Sequence, residues 1–355
     1  MKKNCFKLYK NHMLYGIITL LLVFYHNKNG YAQQLITIET RSDKYDDLEF
    51  PIISCEDKYI ESKINILLQL SEIELLIDKK ENNIFQRIAL DSTANGKSFM
   101  KYEVLSNFDR NVALCFDQIA SSYTLHYWNQ YYNFNPRNGD LYHLKDFFNT
   151  ADFEAFKAFV NKQRIADFAP QITDEYQKYI LQYIEEDNLM DFYFNESDLF
   201  FDAYNLIHKN DKAFGFSTIT KISISEITHW LNDFGRAVLI GGKDIKQYRS
   251  SNDLQLYEGT IAEKYPFYMI FNSYRGIYAY KKYRKGIHLL PKEQSNNTFS
   301  FGEYDKKDNN AKNNTLTFKR NNNTLTGFWI SESGTKKNTL GKTEIVFYFC
   351  QGFKK

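Results

Sequence analysis

The chain has few prolines and few cysteines: five and four in 355 residues. So little proline excludes a proline-rich stalk. No two cysteines stand in a Cys-x-x-Cys spacing, which argues against a zinc knuckle or a thioredoxin-like redox motif. There is no His-x-x-x-His, no His-Glu-x-x-His and no Gly-x-Ser-x-Gly, so the common metalloprotease and serine-hydrolase signatures are missing. Asn95-Gly96-Lys97-Ser98 has the look of the end of a phosphate loop, but the glycine required five positions earlier is Asp91. Charge of one sign is also lacking. With 45 Lys+Arg against 43 Asp+Glu, the chain is not a polybasic nucleic-acid binder. No fixed-period repeat is present, and the acidic run Glu185-Glu186-Asp187 reads as a solvated helix end rather than a calcium site.

The chain does hold a 43% hydrophobic fraction, enough to exclude general disorder, and a length that suits two domains of ordinary size. Its amino terminus has three parts. Lys2, Lys3, Lys7 and Lys10 make a positive start, residues 13–25 are thirteen uncharged and mostly apolar residues, and a polar stretch ends at Gly30-Tyr31-Ala32. That is the pattern of an export signal cut after Ala32. Thirteen residues rise about 20 Å as a helix, short of a hydrocarbon core of roughly 30 Å. The expectation is residues 1–32 as signal peptide and a mature chain that is periplasmic or secreted, with no later transmembrane span. Loss of the five lysines of that segment leaves 40 bases against 43 acids, which removes the bulk electrostatic argument for nucleic acid.

Three cysteines remain after such a cut, Cys55, Cys115 and Cys350. At most one internal disulfide can form among them. Cys55 with Cys115 is the plausible pair, and buried unpaired thiols are the alternative.

Periodicity gives the organisation. Residues 35–40 alternate as a strand. From Asp57 the period becomes helical, with Ile60, Ile64, Leu67 and Leu68 on one face and a continuation through Ile73 and Leu76. Residues 99–105, 113–116 and 123–134 read as strands, followed by a turn at Asn135-Pro136-Arg137-Asn138-Gly139. A helix opens at Thr150 as N-cap, with Phe153, Phe156, Phe159 and Val160 inward; another starts at Thr173, with Tyr176, Ile180, Tyr183 and Ile184 on its buried side. Residues 189–194 and 199–204 form a hairpin, 216–224 a third strand, and Ser225 caps a short helix. Beyond 241–253, read as a linker, helical periodicity stops. Residues 254–259, 267–272, 276–283, 287–289, 298–304, 315–320, 324–330 and 343–349 are short strands divided by turn residues. The fold class expected is an α+β N-terminal domain over 33–240, then an all-β antiparallel barrel or sandwich domain over 254–355.

Chemistry is harder to find. The histidines of the mature chain, His126, His143, His208, His229 and His288, could meet a cysteine in space, but a structural role for each is the plainer reading. The excess is in aromatic residues, 17% of the chain, clustered at Tyr127-Trp128, Tyr131-Tyr132, Tyr278, Tyr280, Tyr283 and Trp329. Rings stack on sugar faces while a phenol or indole polar atom hydrogen-bonds. Tyr278 and Tyr280, two apart on a strand, share a face. The candidate ligand-binding residues are therefore Tyr278, Tyr280, Trp329, Tyr127 and Trp128, against the alternative that these rings fill a core. No catalytic residue, metal ligand or cofactor is indicated.

One stretch, Tyr132-Asn133-Phe134-Asn135-Pro136-Arg137-Asn138-Gly139-Asp140-Leu141-Tyr142-His143-Leu144-Lys145-Asp146-Phe147-Phe148, resembles part of an extracytoplasmic α/β domain of unknown function. That domain occurs in the anti-sigma factor RsiV and ahead of the catalytic domain of the peptidoglycan deacetylase PdaC. Phe50-Pro51-Ile52-Ile53 with Ile64-Asn65 is similar to its opening. Phe192-Tyr193-Phe194, then 199–204, Gly215-Phe216 and 222–227, is similar to its closing segment. The resemblance spans about 45–235. It implies a non-catalytic wall-side domain that binds or senses extracellular molecules, such as cell-wall glycan or a wall-lytic enzyme. The chain lacks a cytoplasmic sigma-binding segment and a deacetylase domain, so those roles do not carry over, and the barrel-like half lies outside the resemblance. Two other readings stay open: a glycan hydrolase whose carboxylates are dispersed in sequence, with two acids about 5–10 Å apart in a pocket, and a structural envelope component that assembles through strand edges.

Overall fold

The computed structural model describes residues 36–43, 47–78, 85, 97–121, 125–242, 254–272, 274–295, 298–305, 310–321, 324–331 and 341–349. The expected signal segment, most of the expected linker and Cys350 lie outside the described residues. Residues from Ile36 onward make one compact unit.

Two strands open this unit, β1 (Thr37–Ser42) and β2 (Glu49–Ser54), paired antiparallel. Helix α1 (Lys58–Leu68) follows, capped by Asp57, whose carboxylate accepts from the backbone N–H of Tyr59 and Ile60. Ile60, Ile64, Leu67 and Leu68 are buried, as the helical spacing requires. The helix does not run on to Leu76. It passes into a π-turn at Gln69–Ile73 and stops at Glu74, which has left-handed backbone (φ 55°). A meander of three long strands comes next: β3 (Lys97–Phe108), β4 (Asn111–Ser121) and β5 (Leu125–Phe134). Helix α1 and the inner faces of β2 and of this meander bury a shared core that includes Phe50, Ile64, Leu114, Phe116 and Tyr132.

Helix α2 (Thr150–Phe168) starts one residue earlier than expected, with Asn149 rather than Thr150 in the N-cap position. The helix expected from Thr173 is a 3₁₀ turn at Glu175–Lys178 leading into α3 (Tyr179–Glu186), and Asp174 caps that turn by accepting from the Tyr176 N–H. A small sheet of β6 (Phe192–Phe194), β7 (Asp198–Asp202) and β8 (Ile219–Ser223) packs with α2, α4 (Ile224–Ile227) and α5 (Asp233–Leu239) around a phenylalanine-rich core.

The rest is a closed antiparallel barrel: β9 (Gln255–Ile261), β10 (Tyr265–Phe271), β11 (Gly276–Tyr280), β12 (Gly286–Ser295), β13 (Thr298–Asp305), β14 (Asn310–Asn321), β15 (Thr324–Ser331) and β16 (Gly341–Phe349), each paired with its neighbour and β16 paired back to β9. Closure removes the sheet edges. The fold class is thus the expected one, α+β followed by a barrel. Alternation divides each strand between two faces. Tyr257, Phe267, Met269, Phe271 and Tyr278 point into the barrel, while Leu256, Ile270, Ile277 and Ala279 point outward and join the core built by α1 and β3–β5.

Cys55 and Cys115 are both buried and no disulfide joins them, so the pairing is corrected and the buried thiols are the reading that holds. Cys55 lies in the core shared with Leu114 and Phe116. Cys115 stands between those two residues on β4 and therefore projects from the opposite face of the sheet.

Candidate functional site

Where the barrel wall meets the π-turn and the meander, a cleft of about 360 Å³ opens. Its lining includes Glu72 and Glu74 from the π-turn, Lys97 from β3, Trp128 and Gln130 from β5, Arg275 beside β11 and His288 on β12. Local backbone explains how these residues meet. A π-turn carries one extra residue per turn and is often found at functional sites. Here it brings Glu72 toward the meander and ends with Glu74 left-handed, its carbonyl accepting from the Gly286 N–H at 2.7 Å. That approach needs glycine, because a Cβ at 286 would sit 2.7 Å from the same carbonyl oxygen. Leu75 bridges Lys285 in an antiparallel pair, and the Leu76 N–H donates to the Arg284 carbonyl at 2.8 Å.

The polar floor of the cleft is tightly partnered. Lys97 Nζ donates to Glu72 Oε2 at 2.9 Å and to the Glu72 carbonyl at 2.5 Å. The Tyr132 hydroxyl donates to Glu72 Oε1. Burial, and then the Glu72 charge, push the Tyr132 hydroxyl pKa well above its ordinary value. Glu74 Oε2 is 2.5 Å from His288 Nε2, which ties the π-turn to the barrel. Trp128 walls one side, with Lys97 Nζ 5.8 Å from its ring centroid. Arg275 is exposed on the rim and makes no ion pair among the described residues. Gln118 stands opposite Trp128 in the β4–β5 register. It is 0% exposed, and neither of its amide side-chain atoms has a hydrogen-bond partner.

The five aromatic residues expected to bind ligand do not share one surface. Trp128 lines the cleft. Tyr127 projects from the other face of β5, and its carbonyl accepts from Lys212 Nζ at 2.7 Å. Tyr278, Tyr280 and Trp329 come together inside the barrel near the β11–β12 turn. An open platform including Tyr278 is corrected by its exposure of 1%. Its hydroxyl donates to Glu303 Oε1 at 2.5 Å, and Trp329 Nε1 donates to the same oxygen at 2.8 Å. Asn314 Nδ2 supplies Glu303 Oε2 at 2.6 Å. Inward alternation brings a carboxylate into an apolar barrel, and the three donors satisfy it. Tyr280 is half-buried, packed edge-on against Tyr278 and against the exposed Tyr283.

Other sequence candidates are structural. Asp187 pairs with Arg164 at 2.6 Å. The Cys115 thiol is pushed up to about 12 by burial, which removes it as a nucleophile at neutral pH. His208 stacks on Tyr179, with ring centroids 4.2 Å apart. No group of three or more metal-ligating side chains occurs among the described residues. Among them, too, no helix is long and apolar enough to cross a membrane.

No family model and no curated protein matches the chain. Among solved structures, one described as a member of the DUF3298 family from Bacteroides fragilis NCTC 9343 is similar, with 13% identity and a TM-score of 0.38 over 58% of this chain and 96% of that one. The likeness is to a domain family of unknown function, and at that score it adds nothing to the reading of the site.

Proposed function

We propose that the chain is an exported binding or sensing protein of the cell envelope, with no chemistry of its own, and that it holds a wall glycan in the cleft walled by Trp128. The observation that carries this reading is the cleft itself: about 360 Å³, with an indole on one side and fixed polar groups on its floor. A sugar ring stacks on such an indole while its hydroxyls bond to carboxylate and amide groups. The export-signal pattern and the resemblance of 45–235 to the extracytoplasmic domain of RsiV and PdaC support the compartment and the binding role.

Isothermal titration with soluble peptidoglycan fragments and other glycans tests it, with lysozyme as the protein-partner arm. Trp128→Ala is expected to weaken glycan binding about 5- to 150-fold while the melting temperature holds, as a lost stacking contact of about 1–3 kcal/mol implies, by analogy with ring stacking elsewhere. Undiminished binding by Trp128→Ala removes the cleft from the reading. Heat with lysozyme alone moves the partner from glycan to protein.

A hydrolase is the second reading, because two carboxylates, Glu72 and Glu74, line one cleft. Against it, Glu72 is engaged by Lys97 and Tyr132, and Glu74 by His288. Release of reducing ends that disappears in both Glu72→Gln and Glu74→Gln would establish the enzyme.

A further inference from the structure

We infer that the saccharide held in the cleft carries a carboxylate, and that Arg275 is the residue that selects for it; this deepens the glycan reading above and rests on it. The inference comes from how the charges in the cleft are already spent. Glu72 is opposed by Lys97, and Glu74 is bonded to His288. Arg275, which lines the same cleft, is exposed and makes no ion pair among the described residues. A guanidinium presents paired N–H donors that match the two oxygens of a carboxylate.

The carboxylates of Glu72 and Glu74 argue against a more highly charged ligand. A phosphate dianion bound by Arg275 would meet about twice the repulsion from them that a single carboxylate meets at the same place. The remainder of the ligand has to be hydroxyl-rich rather than apolar. Trp128 offers a ring face, and Gln130 lines the wall beside it. An apolar ligand set against Glu72, Glu74 and Gln130 of the lining would strip water from their polar atoms and give nothing back. A sugar acid supplies all three features: a flat face, hydroxyls and one negative group.

Paired probes test this. Trimers of galacturonic acid, glucuronic acid and mannuronic acid are titrated into the full chain, each beside its carboxyl-reduced neutral counterpart. The expected result is that at least one acid binds about tenfold or more tightly than its neutral twin, and that Arg275→Gln abolishes the difference while leaving the neutral trimer's affinity unchanged. Arg275 lies on the rim, so circular dichroism and the melting temperature of the variant should match those of the parent. Equal affinity for acid and neutral twin in every pair overturns the assignment and leaves the glycan reading standing. So does a preference that survives Arg275→Gln, because the acid then sits elsewhere. If no saccharide binds, acidic or neutral, and wall fragments fail as well, both the inference and the reading beneath it fall.

Discussion

Asp191, just before β6, should make the protein more stable in acid than in base over a defined window. Burial, with the nearby charges of Asp202 and Asp187, raises its carboxyl to about 7, although Asn205 Nδ2 donates to it at 2.7 Å and Arg164 lies near. In the unfolded chain the same group titrates near about 3.9. The folded state therefore holds the proton more firmly than the unfolded state. Stability from this group is complete below about pH 4, declines as pH rises, and is gone above about pH 7. A gap of about three pH units corresponds to at most about 4 kcal/mol. Asp191 is only partly buried by its surface area, so about 1–3 kcal/mol is the effect to expect. Asp191→Asn removes the titration and keeps an oxygen for Asn205. In urea unfolding, the variant should be about 1–3 kcal/mol more stable than the parent at pH 8 and equal to it at pH 4. A stability difference that does not change between pH 4 and pH 8, or that favours the parent at pH 8, would refute the argument.

Two further expectations concern the barrel and the thiols. Tyr278→Phe deletes one of the three donors to the buried Glu303 and should cost about 1.5–3 kcal/mol, whereas Tyr278→Ala should cost about 3–5, both read by chemical unfolding. If both variants unfold like the parent, the ring is not in the barrel core. Alkylation at pH 8 should leave Cys115 unmodified in the native protein and label it after denaturation, since its thiol is buried and held up to about 12. Rapid native labelling at that site contradicts its burial.

The barrel was legible in the sequence because each of its strands is short, alternating and bounded by turn residues. All eight expected strands overlap β9–β16. The core face of α1 was equally plain from Ile60, Ile64, Leu67 and Leu68. The cleft was not legible. Glu72 and Glu74 fall within a helical pattern that runs on through Ile73 and Leu76, and nothing in the residue types announces a π-turn or a left-handed glutamate. Lys97 drew notice only through a failed phosphate-loop match, and its role is to neutralise Glu72. Arg275 carried no signal at all. It lies more than 140 residues from Trp128, and only the docking of β12 on the π-turn brings the two to one cleft. The aromatic excess could not separate Trp128, at a cleft, from Tyr278, inside a barrel, because both lie on alternating strands.

The outward residues of β9–β11 bear on any attempt to work with fragments. Leu256, Ile270 and Ile277 belong to the same core as α1 and β3–β5. Cutting the chain between the halves would bare three aliphatic side chains on the barrel, each worth about 1.5–3 kcal/mol when covered. It would also uncap the core they close. Set against a usual total of about 5–15 kcal/mol for a whole domain, that loss is large. Either piece made by itself is then a sticky, poorly soluble species, and ligand screens on an isolated half would measure aggregation instead of recognition.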